Sequence, residues 1–318
     1  MKLNYDMIKN ITVGAASVTE RDGGVAFSKC TDGLLDAWRG RSEALGKNAA
    51  AATGVRLDFH TSSQSIAFGS ATAGKYEIKI DGLSRARFSL KEGECAELEL
   101  CAPLGEKQES YRVTLVLPSH GAGAVLDFVE LDDGAWIEPH KFDRKFLFIG
   151  DSITQGWESS FDSFSYAYRV SDFFNAESVI QGVGGAYFHE DCFDGGDFDP
   201  EVVFVSYGTN DFGHYKTLAD LGLHTDSFME RLAEAYGDKK VFVISPIWRK
   251  NREGKAMGSF ADCRRVIVET AAKYGFEHID GLTLVPPMEE MLSDGLHPND
   301  IGFSFYSENL IKQIMNRI

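Results

Sequence analysis

Ser152, Asp294 and His297 are residues of the types that perform nucleophilic catalysis, and their positions in the chain suit that work. Ser152 lies in the segment Gly150-Asp151-Ser152, which directly follows an apolar run. A serine hydroxyl is a weak nucleophile until a base removes its proton, and histidine is the usual base near neutral pH. Asp294 precedes His297 by three residues, so its carboxylate can fold back within one turn and orient the imidazole.

Two further segments could stabilise the oxyanion that forms when a nucleophile attacks an acyl carbon. Asn210 follows a second apolar run and carries a side-chain amide that can donate to an oxyanion. Gly184 and Gly185 follow a third, shorter run, and a glycine there can offer an unobstructed backbone N–H. Each such donor stabilises the oxyanion by roughly 3 kcal/mol.

Each segment taken alone also has a simpler structural interpretation. Asp151 or Ser152 could serve only as a helix cap, and glycine and asparagine favour turns in any case. An Asp-x-x-His sequence before a C-terminal helix is also typical of a turn with a surface histidine. The four segments together favour catalysis, because they occur in one order and three of them follow predicted strands.

The second half of the chain predicts an α/β sheet that positions these residues. Three continuous apolar runs, at residues 146–149, 202–205 and 241–244, are typical of parallel strands covered on both faces. Helical spacing of apolar residues between and after them predicts helices over 259–274 and 301–315. In such a sheet the ligands bind at the carboxyl ends of the strands, which is where Ser152 stands.

The first half predicts an antiparallel β-sandwich, because short strands with alternating apolar and polar residues follow one another closely. Asp81-Gly82 predicts a tight turn. Only residues 42–52 look helical in this half, and Gly46 weakens that prediction. We therefore expect two domains, 1–140 and 141–318. The connection between them is short and not rich in Gly and Ser, so we expect the two to be docked.

Composition excludes some classes of partner and favours one compartment. The net charge is −16 without a basic run, so we expect neither nucleic acid nor a membrane surface as a partner. The five cysteines are few, odd in number and scattered, so we expect no disulfide framework. No pair has the Cys-x-x-Cys spacing of a zinc site, so we expect no metal, and we expect no cofactor. The N-terminus shows no signal pattern, which favours the cytoplasm unless a leader has been cleaved.

The ordered segments resemble the blocks of the SGNH hydrolase family, also called GDSL esterases and lipases. The matching segments are Gly150-Asp151-Ser152, Gly185, Gly208-Thr209-Asn210-Asp211 and Asp294-Gly295-Leu296-His297. The resemblance implies a flavodoxin-like, three-layer α/β/α domain. It further implies that Ser152 is the nucleophile, that His297 is the general base and acid, and that Asp294 orients His297. Ser152, Gly185 and Asn210 would form the oxyanion hole, with Gly184 as the alternative to Gly185, because Gln181 or Gly182 stands where the second block often has asparagine.

The first half is similar in its strand pattern to the jelly-roll-like β-sandwich of family two carbohydrate esterases. That resemblance implies hydrolysis of O-acyl esters, above all O-acetyl esters, on a small molecule or oligosaccharide. Four aromatic residues near the motif loops could bind the sugar: Trp157, Tyr187, Phe212 and Trp248. For His189 and His214 we expect structural roles. A lipase, lysophospholipase or thioesterase of the same family and a non-catalytic sugar-binding protein are the alternatives. The oligomeric state stays open.

Overall fold

The computed structural model describes residues 1–21, 23–102, 105–121, 123–253 and 255–318. The strands in these residues are, in chain order, β1 Thr12–Val13, β2 Ser17–Arg21, β3 Gly24–Ser28, β4 Arg56–Thr61, β5 Ser65–Ser70, β6 Gly74–Ile80, β7 Leu83–Leu90, β8 Glu94–Glu99, β9 Tyr111–Val116, β10 Ala124–Leu131, β11 Ile137–Pro139, β12 Arg144–Gly150, β13 Ala176–Gly182, β14 Val202–Ser206, β15 Lys240–Ile244 and β16 Glu277–Ile279. The α-helices are α1 Tyr5–Asn10, α2 Asp32–Arg41, α3 Glu43–Ala49, α4 Ser152–Gln155, α5 Tyr166–Phe173, α6 Asp211–His214, α7 Leu218–Tyr236, α8 Phe260–Lys273 and α9 Asp300–Ile314. Short 3-10 turns lie at Asp162–Phe164, Gly281–Thr283 and Glu289–Met291.

The first half contains two antiparallel sheets that share one apolar core. One sheet has the order β1-β4-β9-β6-β7 with β11 on the outer side of β4, and the other has the order β2-β3-β10-β5-β8. Alternate residues of both sheets, among them Phe59, Phe68 and Leu126, are buried in the same cluster. The β6–β7 turn is built as predicted, because Asp81 and Gly82 both have positive φ, at 51° and 82°.

The second half contains a fully parallel sheet with the order β13-β12-β14-β15-β16. Its strands are covered on both faces, which explains their continuous apolar sequences. On one face Leu147 and Ile149 pack with α7 and α8. On the other face Phe146 and Phe148 pack with α5 and α9. The protein is therefore a mixed α/β protein, and β12 lies between β13 and β14 with its carboxyl end at Gly150.

Residues 32–49 depart from the sequence prediction. The chain forms two helices there, α2 and α3, where only one helix over 42–52 was expected. Leu34, Trp38 and Leu45 of these helices are buried in the same cluster as Leu147 of the parallel sheet. A division of the chain at residue 140 therefore does not separate the two cores, because part of the first half covers a face of the second.

Direct contacts join the two halves at several further points. The Gly54 N–H donates to Asp162 Oδ2 over 2.8 Å, and Lys79 Nζ lies 2.6 Å from Asp172 Oδ2. The connection between the halves includes β11, which pairs with β4 and so belongs to a sheet. No helix in the part of the chain that the structure describes is long and apolar enough to cross a membrane.

A substitution of Trp38 tests whether α2 belongs to the core of the parallel sheet. Its side chain is fully buried, so we expect Trp38→Ala to lower the free energy of unfolding by about 3–5 kcal/mol. The matched control is Trp136→Ala, because that residue is 46% exposed and should cost less than about 1 kcal/mol. Chemical denaturation measures both. Equal losses in the two variants would contradict the packing of α2 as a core element.

Candidate active site

Ser152, His297 and Asp294 meet at the carboxyl end of β12. The Ser152 hydroxyl lies 2.8 Å from His297 Nε2, and His297 Nδ1 lies 2.8 Å from Asp294 Oδ2. This pair of contacts fits one tautomer, in which Nδ1–H donates to the carboxylate and Nε2 accepts from the hydroxyl. Such an arrangement can take the proton from the serine hydroxyl and stabilise the imidazolium that results.

The backbone of the 294–297 turn holds the acid in place. Asp294 Oδ1 accepts hydrogen bonds from the N–H groups of Leu296 and His297, at 2.9 and 2.8 Å. Partial burial opposes ionisation, but the hydrogen bonds from the His297 backbone and ring prevail and lower the pKa of Asp294. The carboxylate therefore stays ionised beside the imidazole at neutral pH.

Ser152 itself is fixed by the start of a short helix. Asp151 precedes α4 and accepts the N–H of Ile153 over 2.9 Å. This contact is the helix cap that the sequence left open as the simpler interpretation. Asp151 takes that role, so Ser152 remains free to contact His297.

The two glycine candidates are in different environments. The Gly184 N–H is buried and donates to Gln155 Oε1 over 2.6 Å, so it is already engaged. Gly185 is exposed, has a φ of 87° and lines the same cavity as Ser152 and His297. Asn210 lines this cavity as well. One N–H of its amide donates to the Ala186 carbonyl over 2.8 Å, and the amide has a second N–H to offer.

The cavity over Ser152 has a volume of about 510 Å³ and is lined from both halves of the chain. Ser42, Ala44, Leu45 and Asn48 come from the turn before α3 and from α3 itself. Nothing in the sequence identified these residues, because no motif surrounds them and their partners lie more than a hundred residues away. Leu296 also lines the cavity.

The four aromatic candidates are in different places. Trp157 lines the cavity, with its ring centroid 6.4 Å from that of His297. Phe212 is fully buried and packs against Phe260, so it has no surface for a substrate and its expected binding role is not retained. Tyr187 stacks on His214 at 3.7 Å, and Trp248 lies under the guanidinium of Arg252, both outside the cavity lining.

His189, Glu190 and Asp191 have side-chain atoms close enough together to hold a cation. Arg41 already occupies that place, because its Nη2 lies 2.5 Å from His189 Nδ1 and 3.4 Å from Asp191 Oδ2. Burial and the nearby Arg41 charge lower the pKa of His189, which favours its neutral form. The cluster is therefore an ion-paired surface group.

Comparison with known proteins agrees with the geometry. Residues 148–304 match the GDSL-like Lipase/Acylhydrolase family, and the chain therefore contains a domain of that family. This segment includes Ser152, Gly185, Asn210, Asp294 and His297. No curated protein matches the chain in sequence.

Solved structures share the fold across both halves of the chain. The salicylyl-acyltransferase SsfX3 from a tetracycline biosynthetic pathway is similar with a TM-score of 0.82, at 18% identity, over 96% of this chain and 94% of its own. A protein from Bacteroides ovatus described as a GDSL-like lipase is similar with a TM-score of 0.76, at 19% identity, over 97% and 96%. The acetyl xylan esterase Est2A from the rumen bacterium Butyrivibrio proteoclasticus gives 0.68, at 15% identity, over 100% and 99%. At these identities the likeness concerns the fold.

Proposed function

We propose that this protein is a serine esterase that hydrolyses O-acyl esters, above all O-acetyl esters on carbohydrates, through an acyl-enzyme. The observation that carries the proposal is the continuous pair of contacts from Ser152 through His297 to Asp294, at 2.8 Å each. A hydroxyl, an imidazole and a carboxylate in this order need no cofactor for acyl transfer.

The first half of the reaction forms the acyl-enzyme. His297 Nε2 accepts the proton of the Ser152 hydroxyl as Oγ attacks the acyl carbon. The resulting oxyanion accepts hydrogen bonds from the Ser152 and Gly185 N–H groups and from the Asn210 amide. His297 then gives its proton to the alcohol oxygen, the ester C–O bond breaks, and the alcohol leaves.

The second half releases the acid and restores the enzyme. Water gives a proton to His297 Nε2 and attacks the acyl carbon of the Ser152 ester. The oxyanion forms again at the same donors and collapses, which breaks the bond between the acyl carbon and Ser152 Oγ. Oγ takes the proton back from His297, and the acid leaves. Asp294 remains ionised throughout and stabilises the imidazolium.

The choice of Gly185 as the donor rests on the hydrogen bonds of its neighbour. Because the Gly184 N–H donates to Gln155, it cannot serve an oxyanion without breaking a buried hydrogen bond. Gly185 has no such engagement among the described contacts and faces the cavity.

The walls of the cavity and one protein of similar fold support the proposal that the substrate is a sugar with a small acyl group. Ala44, Leu45 and Leu296 give the cavity apolar surface, while Ser42, Asn48 and Asn210 offer polar groups. Trp157 provides a ring on which a sugar face can stack. The acetyl xylan esterase of similar fold acts, by its name, on such a substrate.

We also infer that the two antiparallel sheets form a β-sandwich domain that is docked on the hydrolase domain and completes its cleft. Two observations support this inference: the shared core of the two sheets, and a cavity beside Trp157 that residues of β6 and β7 line together with residues 157–162. In this arrangement residues 32–49 belong structurally to the hydrolase domain.

Replacement of Ser152 tests its assignment as the nucleophile. We expect Ser152→Ala to keep the melting temperature and to lower kcat on 4-nitrophenyl acetate by at least about 10³-fold, because no other oxygen can form the acyl-enzyme. Ser84→Ala, at an exposed serine of β7, is the control with full activity. Activity of Ser152→Ala within tenfold of wild type would overturn the assignment. Faster hydrolysis of a long-chain 4-nitrophenyl ester than of 4-nitrophenyl acetate by the wild type would indicate a lipase. A wild type that hydrolyses neither ester would indicate a non-catalytic binder.

An isosteric substitution of Asp294 tests whether its carboxylate orients His297. In Asp294→Asn an amide NH₂ can replace Oδ2 and face His297 Nδ1, which favours the tautomer that no longer accepts the serine proton. We expect kcat to fall by about 10⁴-fold with little change in stability. Asp127→Asn, at an exposed site on β10, is the control. Steady-state kinetics on the best acetylated sugar measures both, and an unchanged kcat in Asp294→Asn would argue against its role.

A further inference from the structure

Asn48 of α3 is hydrogen-bonded to the peptide group that carries the Gly185 N–H. Its Nδ2 donates to the Gly184 carbonyl over 2.8 Å, across 136 residues of sequence. The carbonyl of Gly184 and the N–H of Gly185 belong to one planar peptide unit. They point in opposite directions because the peptide is trans. Fixing the carbonyl therefore fixes the direction of the N–H.

This peptide unit needs an external constraint because glycines flank it on both sides. Glycine adopts left- and right-handed conformations with similar ease, so a Gly-Gly peptide can rotate at little cost. Gly185 already has a φ of 87°. A Cβ at Gly184 would lie 2.8 Å from Asn48 Nδ2, so only glycine allows the asparagine to approach.

Gln155 and Asn48 hold the two ends of this segment. Gln155 is fully buried, accepts the Gly184 N–H and donates to the Ser119 carbonyl over 2.9 Å. The Asn48 carbonyl accepts from Lys29 Nζ over 3.0 Å, which anchors α3 in turn. Ser119, Lys29 and Asn48 all come from the first half of the chain.

We propose that Asn48 is a positioning residue for the oxyanion hole, and that through it the first half of the chain sets the rate of the chemical step. The proposal rests on the proposed esterase function. Asn48 acts on the Gly185 N–H through the Gly184 carbonyl and moves no proton itself. Losing it frees the peptide to rotate, which reduces the fraction of enzyme with the donor in place.

The test uses Asn48→Asp and Asn48→Ala, because neither can donate to the Gly184 carbonyl. We expect kcat on 4-nitrophenyl acetate to fall by about 10–100-fold, with KM within twofold of wild type. A trifluoromethyl ketone, whose serine adduct carries an oxyanion, should bind more weakly by a similar factor. Lys47→Ala, at the exposed neighbouring position of α3, should change neither value.

The outcomes separate this inference from the proposed function. An inactive wild type would contradict the esterase itself. With an active wild type, unchanged kcat in both Asn48 variants would overturn the positioning role. A raised KM with unchanged kcat would make Asn48 a substrate contact and would overturn it equally. Because two variants of different polarity are used, a folding defect in one still leaves the other to decide.

A second cavity of about 710 Å³ lies beside the first and is not used by the catalytic groups. Its walls are β6, β7 and residues 118–121 on one side and residues 157–162 on the other. Trp157 lines both cavities, and its ring centroid lies 6.4 Å from that of His297 and 4.9 Å from that of His120. A ligand that extends from Ser152 past this ring would enter the second cavity.

The lining of the second cavity suits a neutral polyol. Trp157 and Phe161 offer aromatic surface, and the exposed Ser89 and Glu158 offer a hydroxyl and a carboxyl group.

The charges of this cavity argue against an anionic ligand. Lys75 Nζ is already bound to the Ser160 carbonyl over 3.1 Å and lies 5.7 Å from the Phe161 ring centroid. Burial, with the nearby charges of Lys29 and Lys75, lowers the pKa of His120 to about 4, so the imidazole is neutral. Glu158 adds a carboxyl group on the other side.

We infer that the second cavity binds a sugar unit of the substrate adjacent to the acylated one, with Trp157 shared between the two. This inference also rests on the proposed function, and it names an oligosaccharide ester as the substrate class. Hydroxyls of the second sugar would face Ser89 and Glu158, and its apolar face would lie on an aromatic ring.

A substitution whose side chain fills the second cavity tests this inference. Ser89 is exposed on β7 and lines the cavity, so Ser89→Trp should occupy it without disturbing the core. We expect kcat/KM on acetylated xylo- or cello-oligosaccharides to fall at least tenfold, while kcat/KM on 4-nitrophenyl acetate stays within twofold. Ser84→Trp, exposed on the same strand outside the cavity lining, is the matched control.

Three results would overturn the second cavity as a sugar site. One is equal loss on the small ester and the oligosaccharide, and another is no loss on either. The third is a wild type that hydrolyses acetylated mono- and oligosaccharides with equal kcat/KM. Inactivity of the wild type on every ester would instead contradict the proposed esterase.

Discussion

The hydrogen bond between Ser152 and His297 is the contact that the rest of the structure must support, because it joins side chains 145 residues apart. Ser152 is fixed by the end of β12 and the cap of α4. His297 is fixed by the 294–297 turn, whose carboxylate binds both the backbone and the ring. Both anchors depend on the parallel sheet, whose two apolar faces are buried under helices.

The two halves of the chain together line the cleft over Ser152. The parallel sheet supplies Ser152 and Asn210, whereas the residues that cover and line the cleft come partly from α3. Both halves of the chain bind Gly184. Gln155 of the second half accepts its N–H, and Asn48 of the first half donates to its carbonyl. A small rearrangement of α3 would therefore change the position of the peptide group between Gly184 and Gly185.

Local patterns predicted the strands at residues 146–149, 202–205 and 241–244 and the helices over 259–274 and 301–315, because strand burial and helical spacing depend on neighbouring residues. They also singled out Ser152, Asp294 and His297, but they predicted neither α7 nor β16. The helices over 32–49 were predicted only in part. Gly46 lowered the helical propensity, yet a Cβ there would lie 2.6 Å from Arg39 Cγ, so the glycine allows α2 and α3 to pack closely. Contacts such as Asn48 with Gly184 have no sequence signal, since they arise only when distant elements pack. Phe212 was misjudged because a loop position near a motif says nothing about burial.

The early position of α2 and α3 has a consequence for synthesis of the chain. These helices leave the ribosome long before β15, whose Val241 and Val243 belong to the same apolar cluster. At the usual rate of translation, roughly 10 to 40 s separate the two events. During that interval Leu34, Leu35 and Trp38 lack the sheet that later buries them. Nascent chains of this protein therefore present an apolar surface to chaperones until the parallel sheet is complete.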